Sequence, residues 1–230
     1  MQQNTAKIIQ NNYFSGLKFT PFNIFIGFLL LLYVYFSWLL IQISLQYIPY
    51  NTDVAFLRIK QDVIDLPFYK LAFFMHVYSA VLVLPAGLTQ FSVFIRKKYP
   101  VLHRYNGWLY SIVVILIAGP GGLYMGIYAN GGVLSQISFV LLAVLWISFT
   151  AIALYKAVKG NYKSHREFLI RSFALTLSAI TLRAWKYLLV YLLHPRPMDV
   201  YQTVAWLGWI PNLIIAELII RKIIKLKFNK

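Results

Sequence analysis

Six long apolar runs, broken only by short polar stretches, constrain this chain more than any other feature. They extend roughly from Phe22 to Leu45, Tyr69 to Ile95, Tyr105 to Tyr128, Leu134 to Val158, Phe168 to Leu193 and Val200 to Ile220. At 1.5 Å per residue, a helix of about 20 residues crosses the roughly 30 Å of bilayer hydrocarbon. Barrel strands are about half that length and alternate polar with apolar residues, which these runs do not. The expected fold is therefore all-α: a polytopic membrane protein of about six transmembrane helices. Spans two to five form a four-helix core, flanked by spans one and six. One transmembrane domain covers residues 1–230, with its core at 68–193, and no internal repeat interrupts it.

Orientation follows from the flanks, because cytoplasmic loops collect Lys and Arg. Most of the 22 basic residues fall on one side, in Lys7 and Lys18 and in the clusters Arg96 to Arg104, Lys156 to Arg166 and Arg221 to Lys230. Arg58, Lys60, Lys70 and Arg196 lie on the other side, with Asp53, Asp62, Asp65 and Asp199. Both termini are thus expected in the cytoplasm and the chain in a bacterial inner membrane. The net charge of +16 raises nucleic acid as a partner, but the charges sit in clusters between apolar runs and form no basic stripe. The lipid bilayer is the partner they fit. There is no cysteine, which excludes disulfides, thiolate nucleophiles, iron–sulfur clusters and Cys-based zinc sites. The first external loop is the longest, and Thr52 reads as an N-cap opening a short amphipathic helix on the outer surface, within residues 52–66.

Function is sought where ionisable groups reach bilayer depth, since each costs at least a few kcal/mol there unless paired or hydrated. The second span puts His76 on a stripe of small and polar residues, with Pro85 as a kink. His103 opens the third span, and Gly119-Pro120-Gly121-Gly122 is expected to interrupt it, as in helices that line a cavity. In the fifth span His165, Ser172, Thr176, Arg183 and Lys186 share one stripe, with Arg171 off it. Arg183 lies roughly 27 Å beyond His165, and His76 roughly 30 Å from Arg96 on its own helix, so His76, Arg183 and Lys186 belong to one outer site. An inner set comprises His103-Arg104 and His165-Arg166, with Glu217 available to Arg171 or Arg221. Conventional catalysis has little support, because no nucleophile motif or phosphate-binding loop is present.

His103-Arg104-x-x-Gly107-x-x-Tyr110, the run His165-Arg166-x-x-x-Ile170-Arg171-Ser172-Phe173-Ala174-Leu175, Arg183 and the upstream His76 resemble the bacterial membrane-protein family catalogued as domain of unknown function 2306. The likeness covers roughly Phe73 to Leu189 and implies an architecture and a set of characteristic residues. In architecture alone the chain is similar to the cytochrome b561 type of membrane cytochrome, whose spans two to five hold two b hemes between paired histidines. That likeness implies one heme b between His103 and His165, matching the pair from spans three and five. The fourth span carries no histidine, which leaves His76 without the partner the likeness implies.

Three functions follow from these residues. The first is a redox protein with His103 and His165 as axial iron ligands, Arg104, Arg166 and Arg171 near them, and His76, Arg183 and Lys186 holding a quinone or an anionic group; a quinone or a membrane redox partner would then exchange electrons with it. The second is a transporter or lipid-handling protein that uses the interrupted third span and the Arg183–Lys186 charge. The third is a structural or assembly subunit of a membrane complex. Oligomeric state is not legible in the chain.

Overall fold

A computed structural model describes residues 20–228. Lys7, Lys18 and Lys230, counted above, lie outside the described residues. Six helices are long and apolar enough to cross a membrane: Asn23–Leu45, Tyr69–Thr89, Pro100–Ile127, Gly132–Val158, Tyr162–Leu193 and Pro197–Lys222. Among the described residues there is no strand. The chain divides into two units, Met1–Leu39 and Leu40–Lys230. In the first unit, Thr20 accepts a hydrogen bond from the Asn23 amide at 3.2 Å, and Pro21 starts the helix at the position where its missing N–H costs nothing. That helix carries no charged residue.

In the second unit, spans two to five are arranged in order around a ring. Each packs on its neighbour in sequence, and the second closes on the fifth. The third and fifth spans therefore face each other across the interior, as do the second and fourth. The sixth span packs against the fourth and fifth. It is held by Ser138, whose hydroxyl donates to the Ala205 carbonyl at 2.7 Å and accepts from the Trp209 indole at 3.0 Å. Arg171 joins it as well, through paired bonds of 2.5 and 3.0 Å to Glu217.

Two spans start earlier than hydropathy places them. The third begins at Pro100, which is pre-set for the first helical turn, and the fifth at Tyr162, after Asn161 caps the Ser164 amide at 3.1 Å. Polar first turns hide these starts from a hydropathy reading. As a result, His103 and His165 each sit within the first turns of a helix, at equivalent positions on parallel spans.

The expected interruption at Gly119–Gly122 is a different feature. The third span continues through it as a π-turn, Val114–Ala118, followed directly by α-helix from Gly119 to Ile127. The glycines serve close approach. A Cβ on Gly121 would lie 2.6 Å from the Ala72 carbonyl oxygen, and one on Gly122 would lie 2.9 Å from His76 Nδ1.

The external loop also departs from expectation. No amphipathic helix forms at residues 52–66: the segment is a series of turns with one 3-10 helix, Leu57–Lys60. Asn51 takes the Asp53 amide at 2.8 Å in place of a Thr52 cap. Leu57 and Ile64 turn inward onto Tyr47, Tyr69 and Phe73, so the loop closes one end of the bundle as a packed cap. Lys60 is buried there too, at 1% exposure, and its ammonium donates to the Tyr128 carbonyl and to Asn130 Oδ1.

Burial pushes the Lys60 ammonium below the ordinary lysine value of 10.5. Between that lowered value and 10.5 the unfolded chain holds the extra proton, so stability rises with pH across this window. Thermal unfolding in detergent should show the wild type gaining on Lys60→Met as pH climbs toward 10.5; parallel curves would remove Lys60 as the cause.

Candidate functional site

The polar interior is built in three layers along the bundle. The middle layer is a hydroxyl network. Tyr110, from the third span, is 1% exposed and reaches across the interior to Ser172 Oγ at 2.7 Å and Thr176 Oγ1 at 2.8 Å on the fifth. Thr150 of the fourth span meets Ser172 at 2.6 Å and donates back to the Trp146 carbonyl at 2.7 Å. The Trp146 indole donates to Thr176 at 2.9 Å. These buried groups thus find partners within the protein, as the absence of water at this depth requires. The network also fills the diagonal and separates the two ends of the bundle.

One layer toward the basic flanks, His103 and His165 stand seven residues before Tyr110 and Ser172 respectively, about 10 Å along parallel helices. A spacing of seven residues returns to the same helix face, so both imidazoles lie below the network. His165 Nδ1 lies 2.8 Å from the Ala153 carbonyl. A carbonyl only accepts, so Nδ1 carries the proton and Nε2 keeps a free lone pair. His103 Nδ1 is buried and has no hydrogen-bond partner among the described residues. Its own backbone carbonyl accepts from Gln90 at 3.1 Å, which ties the second span to this level. Arg104 and Arg166 are exposed at the helix starts. Arg171 is engaged by Glu217 and stacks over Phe168 at 5.1 Å, so it braces the sixth span instead of joining the histidines.

At the opposite end, His76 Nδ1 donates to the Ala118 carbonyl, within the π-turn, at 2.7 Å. Its ring meets the edge of Trp146 at 6.5 Å, across the bundle diagonal. Arg183 is part-buried at this end and donates to the Ala179 carbonyl of its own helix at 2.5 Å. Lys186 is exposed on its helix. The fifth span is broken at Leu177 into Tyr162–Thr176 and Ser178–Leu193, so an unbroken helical stripe does not carry from Thr176 to Lys186. His194 is exposed at the helix end, away from His76.

Thr150 and Trp146 were not among the residues expected at the site. A signal for Trp146 existed. Tryptophan favours the membrane interfaces, yet this one sits midway along a span of 27 residues.

Six helices long and apolar enough to span a membrane, with a polar, hydrogen-bonded interior among spans two to five, define an integral membrane protein of the polytopic helical class. The family described as "Predicted membrane protein (DUF2306)" matches residues 73–220, which take in His76, His103, His165, Arg183 and the hydroxyl network. The chain belongs to that family. No curated protein and no solved structure matches it.

Proposed function

We propose that this protein is a b-type heme protein of the bacterial cytoplasmic membrane, in which His103 and His165 would hold the iron, with both termini on the cytoplasmic side. One observation carries the reading: across the interior from His103, whose Nδ1 is buried without a partner among the described residues, His165 is held through Nδ1 with Nε2 unprotonated. Histidines that bind metals are oriented in this way, by a hydrogen bond from the other ring nitrogen to a carbonyl or carboxylate. Neutral imidazole suits heme iron, and cysteine is not needed. The donor set at this end fits the group.

The opposite end does not fit a second heme, because the diagonal partner of His76 is Trp146. Bound heme would supply a one-electron carrier, with a quinone or a membrane redox partner exchanging electrons with it. The chain's own part is to fix the His165 ring through Ala153, to offer the cations of Arg104 and Arg166 to propionates, and to keep water out with the hydroxyl network. Transport is less well supported, since the third span on which that reading drew stays helical through its glycines.

Heme content of protein purified from heme-replete cells tests the proposal. Near one heme per chain is expected, falling to near zero in both His103→Ala and His165→Ala. Wild-type protein without heme would end the reading.

A further inference from the structure

The connection from the second span into the third carries Arg96, Lys97, Lys98 and Arg104, and the chain has no acidic residue between Asp65 and Glu167. The ion pairs among the described residues join Arg58 to Asp53, Lys70 to Asp65, Arg171 to Glu217 and Arg196 to Asp199, so none of these four cations is paired there. All four are exposed. An uncompensated basic cluster beside a span is attracted to anionic lipid headgroups. Charge alone leaves that attraction diffuse; here the backbone gives it a place.

Ser92 Oγ accepts the Ile95 amide at 3.2 Å and opens a short helix, Val93–Lys98. Tyr99 closes it by donating its amide to the Ile95 carbonyl at 2.8 Å, and Pro100 starts the third span directly after. The turn at Tyr99 leaves an open cavity of about 430 Å³, lined by Lys98, Tyr99, Pro100, Val101, Leu102 and Tyr105. Lys98 is the charged member of this wall, which is otherwise apolar apart from the two tyrosine hydroxyls. Its ammonium lies 5.4 Å from the centre of the Phe94 ring and 5.7 Å from that of Tyr99, and the two rings meet edge-on at 5.8 Å. These cation–π contacts fix where the ammonium stands and leave its N–H donors for a ligand.

A cavity with a cation on an otherwise apolar wall suits an amphiphile. A free anion would leave the Val101 and Leu102 side chains uncovered, and a lipid without net charge would leave the ammonium uncompensated. We propose that this cavity binds one anionic phospholipid of the leaflet on the basic side, with its phosphate on Lys98 and an acyl chain along Val101 and Leu102. The position agrees with the occupant, because the cavity lies at the start of a span, where headgroup meets hydrocarbon. Arg96 and Lys97 add to the field that draws the headgroup in. The site is independent of the heme reading: its wall is exposed surface, whereas His103 turns a buried Nδ1 inward.

The test is thermal unfolding of the full chain in dodecyl maltoside, titrated separately with phosphatidylglycerol, with phosphatidylcholine of the same acyl chains, and with glycerol phosphate. Wild-type protein should be stabilised by phosphatidylglycerol at a lower mole fraction than by phosphatidylcholine, and not by glycerol phosphate. The half-saturating mole fraction of phosphatidylglycerol should rise about fivefold in Lys98→Gln, the loss expected for one basic residue at an anionic headgroup, and should recover in Lys98→Arg. Leu102→Asn makes the wall polar at constant charge and should weaken binding several-fold. Lys159→Gln is the control for charge alone: Lys159 lies on another basic flank, 5.9 Å from the Tyr155 ring, and its loss should change half-saturation by less than about twofold. Should Lys98→Gln fail to fold, Leu102→Asn set against Lys159→Gln carries the test. Phosphatidylcholine matching phosphatidylglycerol, glycerol phosphate saturating by itself, or Lys159→Gln weakening binding as much as the cavity variants would overturn the proposal. None of these readouts needs heme, so protein purified without heme would end the heme reading and leave this one standing.

Discussion

Gly121→Val should lower the unfolding temperature of the detergent-solubilised protein by roughly 6–12 °C. Gly121 lies where the third span crosses the second, and a Cβ there would stand 2.6 Å from the Ala72 carbonyl oxygen and 3.2 Å from His76 Cβ. The first of these is backbone, which can yield only if one helix moves. Small residues at such crossings let helices approach closely in lipid, where packing substitutes for the hydrophobic drive. Overfilling a tight core costs about 1–3 kcal/mol and sometimes more, and valine brings two methyl groups beyond the Cβ that already clashes. At about 3 kcal/mol, and roughly 2–4 °C per kcal/mol for a chain of this size, the shift follows. Gly107→Ala is the control. Its Cβ would meet the Gln90 amide oxygen at 3.0 Å, a side-chain contact that need give by only a few tenths of an ångström, against a backbone clash at Gly121. Equal losses in the two variants would show that the crossing at Gly121 is not specially tight.

Glu217→Gln should be the next most damaging change, at about 1–3 kcal/mol. Glu217 neutralises Arg171 with paired bonds, and Phe168 stacks on the guanidinium. Breaking a fully buried pair from one side costs about 3–5 kcal/mol, because the remaining charge is stranded. Here the Glu217 side chain is 37% exposed, so the figure is discounted. The reasoning makes a sharper claim about the double variant. Arg171→Met with Glu217→Met removes both charges and should be more stable than Glu217→Gln alone. A double variant that unfolds earlier than the single one would mean that the pair stabilises by more than mutual neutralisation.

The spans were legible because lipid sets their length and forbids unpaired backbone, so hydropathy alone reveals them. Their starts were not, because Pro100 and Asn161 open helices whose first turns are polar. The 52–66 segment failed for a different reason. Thr52 followed by an apolar periodicity reads as a capped helix, yet burial of Leu57 and Ile64 against Tyr47, Tyr69 and Phe73, and of Lys60 on Tyr128 and Asn130, overrides that local preference. Gly119 to Gly122 read as a break, since glycine and proline interrupt helices in isolation; within the bundle they allow a continuous helix to lie against the second span. Histidine and arginine were visible as site candidates because ionisable groups are costly at depth. Thr150 was not, because a hydroxyl can bond back to its own helix and leaves no trace in a linear pattern.

The account turns on His103 and His165 acting as a pair below the hydroxyl network, with His76 in a separate role above it. A reduced-minus-oxidised absorption spectrum of purified wild-type protein, His76→Ala and His165→Ala tests this directly. The expected result is a single b-type signature in the wild type, retained in His76→Ala and absent in His165→Ala. A signature that survives loss of His165, or that disappears with His76, would contradict it.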